Sequence, residues 1–236
     1  MSYLNLEPAQ PWILWLTAVL VALGVDGLVR LSPKWVAGES DAFSSVVYLL
    51  LPALATLGLG LFIDDAVDGY ARAATAVAGG VAVGLIASGE FQTVDFGSRL
   101  YGPVRLFLAI ATYLTAFALY TVIFSGSMDL GLASFTVAII SLLLSVELLR
   151  ESRLTGPSSL LVGLAIGISM GELRLALYFF ALDGLLAGAL LIIAFYLATG
   201  LVHHLLDHDL EWSTTAEYLL VAGVGTAAVV FTRVFV

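Results

Sequence analysis

The 236-residue chain has no cysteine and only one lysine, Lys34. The absence of cysteine excludes disulfides, thiolate metal sites and cysteine nucleophiles. Because Lys34 lies outside every long apolar stretch, the chain also offers no buried lysine for a Schiff base. Charge is scarce too, at 11% of residues, and acidic residues outnumber basic ones 18 to 9. Without clustered lysine and arginine, nucleic acid is excluded as a predicted partner.

What the chain has in abundance is apolar surface. Apolar residues make up 61% of the sequence, whereas soluble domains have about 45–50%. A soluble fold of this size could not bury so many apolar side chains, so the predicted solvent is a lipid bilayer. One membrane-crossing helix takes about 20 apolar residues. The composition therefore predicts an all-α polytopic transmembrane bundle in the cell membrane, with residues 1–236 forming a single domain.

Charges, prolines and glycines divide the chain into eight predicted spans. The turn between the sixth and seventh spans is placed at Asp183-Gly184, while a re-entrant segment near Gly171-Glu172 would leave seven spans. The eight spans are Trp12–Leu31, Phe43–Ile63, Ala71–Gly89, Pro103–Phe124, Leu130–Leu149, Pro157–Ala181, Gly184–Leu206 and Ala216–Phe235.

The basic residues predict the orientation of these spans. Cytoplasmic loops carry an excess of lysine and arginine. One set of alternate loops holds six basic residues, and the opposite set, which includes both termini, holds two. Both termini are therefore predicted to lie outside. The six are Arg30, Lys34, Arg99, Arg105, Arg150 and Arg153, and the two are Arg72 and Arg233.

Glycines recur at four-residue spacing in three of the spans. Gly163, Gly167 and Gly171 share one face of the sixth span, Gly184 and Gly188 share a face of the seventh, and Gly80 and Gly84 share a face of the third. Small residues at this spacing allow helix backbones to approach closely in lipid. The pattern predicts glycine-mediated packing, either within the bundle or along the seam of a homo-oligomer.

A few ionisable residues fall within or at the ends of the spans, where charge is costly and often functional. Glu147 and Arg150 are three residues apart, so they can meet on one helix face. Glu172 and Arg174 are two residues apart, so they point to nearly opposite sides of the sixth span. Together with Asp183 at the end of that span, these residues are the predicted site for an ion or a substrate.

All three histidines fall at the end of the seventh span and just after it, in the segment His203–Asp209. His204 and His208 are four residues apart on one helix face, with Asp207 beside them. Imidazoles at this spacing can share a zinc ion, and a carboxylate can orient a ring. The sequence leaves the cofactor unknown, and zinc is the candidate that these residues could bind. The alternative is a pair of histidines that end a helix, where its dipole favours positive charge.

Three functional hypotheses follow. The first is a small transporter, or a subunit of a larger membrane complex, with a polar intramembrane site at Glu172 and Arg174. The second is a metal-dependent intramembrane hydrolase of lipids that uses His204 and His208 with zinc-activated water. The third is a structural scaffold subunit held by its small residues.

Overall fold

The fold is entirely helical wherever the chain is described. The computed structural model describes residues 11–32, 42–67, 69–95, 98–151, 156–180, 182–206 and 212–235. Within those ranges there is no strand, and eight helices are long and apolar enough to cross a membrane. The predicted all-α bundle is therefore confirmed, and eight helices of spanning length match the eight predicted spans.

The eight helices are apolar on nearly every side, as expected of helices that lie in lipid. One turn of 3-10 helix follows α5 at Leu149–Glu151 and another follows α6 at Tyr178–Phe180. The helices are α1 (Pro11–Arg30), α2 (Ala42–Ala66), α3 (Tyr70–Gln92), α4 (Tyr101–Ser125), α5 (Leu130–Leu148), α6 (Gly156–Leu177), α7 (Gly184–Leu206) and α8 (Trp212–Phe235).

Contacts between residues divide the chain into two compact units, Met1–Leu119 and Tyr120–Val236. The boundary falls inside α4, so a continuous helix contributes its first part to one unit and its last part to the other. The boundary therefore lies within a helix and not in a linker. That residues 1–236 form a single domain stays a prediction.

In the first unit, α1 packs against α2 and α3, and α2 packs against α3. Val25 and Val29 of α1 are buried with Tyr48 of α2 and with Val94, which follows α3. At Gly89 the end of α3 lies close to α4, because a Cβ atom built there would be 3.1 Å from a methyl carbon of Leu108.

In the second unit, α5 and α6 form the most extensive helix pair, and α7 packs against α6 and α8. Tyr120, in the last part of α4, connects this part of the helix to two others. Its buried hydroxyl lies 2.7 Å from the hydroxyl of Ser141 on α5. Its ring meets the ring of Phe195 on α7 edge to face, with centroids 6.2 Å apart.

Helix α8 is the least buried of the eight membrane-crossing segments. Only 6% of its apolar window, Thr215–Thr232, is buried. It packs against α7 where Tyr218 covers Gly200, and where a Cβ atom built on Gly225 would be 2.7 Å from Ile193. Most of the surface of α8 is therefore open to whatever surrounds the chain.

Candidate functional site

The glycines of α6 lie against α5 of the same chain. A Cβ atom built on Gly167 would be 2.5 Å from the carbonyl oxygen of Ala138, and one on Gly171 would be 2.9 Å from that of Ser134. At Gly163 the closest atoms belong to Ser145 and Val146, both at 3.0 Å. The α6 glycine face thus lets two backbones pack without intervening side chains. A homo-oligomer seam along this face stays a prediction.

The glycines at the start of α7 lie against the end of α4. Cβ atoms on Gly184 and Gly188 would collide with Ser125 and Thr121, respectively. Just before them, the Asp183 carboxylate accepts a hydrogen bond of 2.7 Å from the backbone N–H of Leu186. Asp183 therefore caps α7, which explains why the chain turns at the predicted Asp183-Gly184 position.

Glu147 and Arg150 form an ion pair where α5 passes into its 3-10 turn. An Arg150 Nη1 and a Glu147 Oε2 lie 3.3 Å apart, and the glutamate side chain is fully buried while that of the arginine is 10% exposed. The three-residue spacing therefore brings these charges together. Because both side chains are almost completely buried, this pair contributes to structure and leaves little of the cation open to a ligand.

Arg174 of α6 is buried without such a pair. The residue is 3% exposed, and its Nε and Nη1 atoms have no hydrogen-bond partner among the described residues. Its guanidinium carbon lies 5.0 Å from the ring centroid of Phe124 and 5.9 Å from that of Tyr178. Two aromatic faces therefore contact the cation.

Two buried hydroxyls at the same end of the second unit also lack a partner among the described residues. They belong to Thr121, one turn before Phe124 on α4, and to Ser134, whose backbone faces Gly171 near the start of α5. Together with Arg174 and the two rings that it contacts, they are called the Arg174 cluster, because they lie within about one helical turn of its level; the contacts to the guanidinium itself are those of the two rings. A hydroxyl both donates and accepts hydrogen bonds, whereas the guanidinium only donates. The cluster is therefore rich in donors.

Glu172 does not belong to this cluster. It is exposed while Arg174 is buried, as expected for residues on opposite sides of a helix. Glu147 and Arg150 are not part of it either. Ser134 lies at the level of Gly171 and precedes Glu147 by more than three helical turns, which places roughly 20 Å between the two levels. The structure thus separates the polar residues that the sequence grouped into one site.

The structure describes only some of the residues in the predicted zinc site. Asp207 and His208 lie outside the described residues. The His204 ring packs 5.7 Å from that of Tyr218 on α8 and 6.1 Å from that of His203. Within the described ranges, no group of three histidine, aspartate or glutamate residues is placed to hold a metal ion.

Sequence reasoning missed the phenylalanine and the two hydroxyls of the Arg174 cluster. Phe124, Thr121 and Ser134 lie 40 or more residues from Arg174 in the chain. No local spacing in the sequence links them to Arg174, because only the packing of α4 and α5 against α6 brings them to the same end of the unit. The one available signal was Arg174 itself, an arginine inside a predicted span.

Comparison with known protein families yields a match over most of the chain. The model of a family described as "Protein of unknown function (DUF5656)" matches residues 5–232. No curated protein and no solved structure matches the chain.

Proposed function

The chain belongs to the DUF5656 family, whose function is unknown, and from its own residues we propose that it is a small membrane transporter that binds an anionic solute at Arg174. One observation carries the proposal. The guanidinium of Arg174 belongs to a helix of membrane-crossing length and is buried, and two of its nitrogen atoms have no partner among the described residues. Ionisable groups at such depth characteristically mark the paths of ions and substrates.

An anion is the ligand that this arginine favours. Contact with an aromatic face stabilises a buried cation by about 2 kcal/mol, whereas removing an ion from water costs several kcal/mol even after relaxation. Phe124 and Tyr178 therefore compensate only part of the cost. A carboxylate or phosphate would supply the rest through charge-assisted hydrogen bonds to the planar guanidinium.

The position of Arg174 favours movement of the solute over purely structural pairing. The residue lies six positions before the end of its membrane-crossing segment, Ser158–Phe180, or roughly 9 Å along the helix. One turn later α6 gives way to the 3-10 turn Tyr178–Phe180. Transporter sites combine inward-facing polar groups with helices that end or break inside the membrane. Arg174 is buried and its helix ends one turn later, which supports the proposal.

Replacing Arg174 by methionine is expected to stabilise the ligand-free protein. The substitution removes a buried charge that has no carboxylate partner among the described residues, and it keeps an unbranched side chain. Replacing whole buried ion pairs by packed apolar residues is often neutral or stabilises by about 1–4 kcal/mol, and here no opposite charge would be left behind. The measurement is the melting temperature of the purified protein in detergent, without added anions and then with phosphate, sulfate or acetate. At least one anion should raise the wild-type melting temperature and leave that of Arg174→Met unchanged.

Arg150→Met is the matched control, because it removes a cation that already has a buried carboxylate partner. We expect Arg150→Met to melt at a lower temperature than wild type, the opposite sign to Arg174→Met. A lower melting temperature for Arg174→Met would show that the guanidinium is structural and would overturn the proposal. The same holds if none of the three anions stabilises the wild-type protein.

Transport itself is tested by uptake of the stabilising anion, radiolabelled, into proteoliposomes. Uptake above that of protein-free vesicles, abolished by Arg174→Met and retained by the exposed-loop variant Arg99→Gln, supports the proposal. Absence of uptake refutes transport. Stoichiometric recovery of a second protein whose binding requires Arg174 would instead identify a membrane-complex subunit, in which a partner carboxylate pairs with this arginine. The lipid hydrolase and the scaffold subunit stay predictions, as do the outside termini.

A further inference from the structure

A cavity of about 630 Å³ lies among α1, α2 and α3 in the first unit. Its walls are mainly apolar, and they are built from small residues on two of the three helices. On α3, glycines and alanines face the cavity, and on α2 Gly60 does so. These small residues are Gly60, Ala73, Ala76, Gly79 and Gly80. Where side chains are this small, the three helices leave a space between them that is partly open to the surroundings.

One end of the α1–α3 cavity is polar. Asp64, two residues before the end of α2, and Arg72, two residues after the start of α3, both line it. An Arg72 Nη2 lies 3.1 Å from the Asp64 carboxylate and also donates to the Asp64 carbonyl oxygen at 2.7 Å. Both side chains are partly exposed. The polar end therefore coincides with the turn between two membrane-crossing helices.

The length of the cavity matches one leaflet of a bilayer. Along α3 its lining runs from Arg72 to Val83, which is roughly 17 Å of helix, against a hydrocarbon core about 30 Å thick. The contributions of α1 and α2 come from the halves of those helices next to the same end, Leu14–Val21 and Thr56–Asp64. An ion pair thus lies at one end and an apolar wall extends toward the middle of the membrane.

Water is a poor occupant for such a cavity. The hydroxyls of Thr17 and Thr56, which line it, donate to the carbonyl oxygens of Ile13 and Pro52 on their own helices, each at 2.8 Å. A buried water needs two to four polar partners, whereas an apolar cavity of about 150 Å³ stays dry and takes up benzene. This cavity has about four times that volume.

We propose that the α1–α3 cavity binds one acyl chain of a membrane phospholipid, with the head group at Asp64 and Arg72. The chain fills the apolar part, where an empty volume would forfeit dispersion contacts. At the polar end, Arg72 faces the phosphate, and the carboxylate of Asp64 and the exposed carboxylate of Asp65 leave the local charge negative. A head group with an ammonium group as well as a phosphate is therefore favoured over an anionic one.

The experiment measures phospholipid retained by the full-length protein after purification from vesicles of phosphatidylethanolamine and phosphatidylglycerol, using native mass spectrometry. Gly80→Leu places a side chain in the cavity at a position where a Cβ atom would meet nothing within 4 Å. We expect wild type to retain phosphatidylethanolamine stoichiometrically and Gly80→Leu to lose it, with an unchanged helical circular dichroism spectrum.

The matched control is Gly84→Leu, one turn further along α3. A Cβ atom there also meets nothing within 4 Å, but Gly84 does not line the cavity, so this variant should retain lipid as wild type does. Equal retention by Gly80→Leu and wild type would overturn the proposal, as would wild type without bound lipid. Conversion of a dimer to a monomer by Gly80→Leu, without loss of lipid, would mean that a second copy occupies the cavity. Preferential retention of phosphatidylglycerol would refute the assignment of the head group.

Discussion

Replacing Gly167 by alanine is expected to lower the melting temperature of the protein, although alanine is the better helix former. In a helix interior, glycine to alanine stabilises by up to about 1 kcal/mol. At Gly167, however, the new methyl group would lie 2.5 Å from the Ala138 carbonyl oxygen and 3.1 Å from the Cβ atom of Leu142. Because the first of these atoms is backbone, relief requires α5 and α6 to move apart.

The free-energy cost of moving the two helices apart decides whether Gly167→Ala lowers or raises the melting temperature. Forcing an extra methyl or methylene group into a packed interior costs about 1–3 kcal/mol, which exceeds the gain in helix propensity. Gly167→Leu should be worse still, because its branched side chain cannot be accommodated between two backbones in contact. The measurement is thermal unfolding in detergent, followed by circular dichroism and by loss of the monodisperse peak in size-exclusion chromatography.

Gly223 in the middle of α8 provides the control. A Cβ atom built there meets nothing within 4 Å, so Gly223→Ala should leave the melting temperature unchanged or raise it. If Gly167→Ala behaves like Gly223→Ala, close contact between α5 and α6 does not stabilise the protein. A change of oligomer size with unchanged melting temperature would place the α6 glycine face at a seam between copies instead.

Removing Arg150 alone is expected to be strongly destabilising. Glu147 is fully buried beside it, and removal of one partner of a buried ion pair costs about 3–5 kcal/mol because the remaining charge loses its compensation. Arg150→Met should therefore lower the melting temperature markedly. Glu147→Gln alone should also destabilise, since it removes the carboxylate that lies 3.3 Å from a largely buried guanidinium.

The double variant tests whether the two residues act as a pair. Replacing both members by uncharged residues removes the desolvated charges together, which is often neutral in buried pairs. We therefore expect Glu147→Gln combined with Arg150→Met to melt closer to wild type than Arg150→Met does. Additive losses in the three variants would show that the charges are not coupled.

The succession of helices could be predicted from the sequence because its signals are local. Apolar runs of spanning length mark the eight helices, and the Asp183-Gly184 dipeptide marks the turn at which Asp183 caps α7. The boundaries are less accurate. The structure continues α3 to Gln92, beyond the predicted end at Gly89, and Glu90 is consequently a fully buried residue of the helix.

The surroundings of the charged residues could not be predicted in the same way. Spacing shows that Glu172 and Arg174 point to opposite sides of α6, but not which side is buried, because both sides of the helix are apolar. The answer depends on α4, which brings Phe124 to Arg174. The α1–α3 cavity could not be predicted from the sequence either, since a space among three helices depends on how their small residues face one another.

The sparse burial of α8 has a thermodynamic consequence. A helix that shares so little surface with its neighbours owes its place mainly to insertion into lipid, and only secondarily to docking on α7 through Gly200 and Tyr218. Its equilibrium between docked and undocked states is therefore set by a small contact area. The docking of α8 on the rest of the second unit therefore depends on the composition of the bilayer as well as on contacts within the protein.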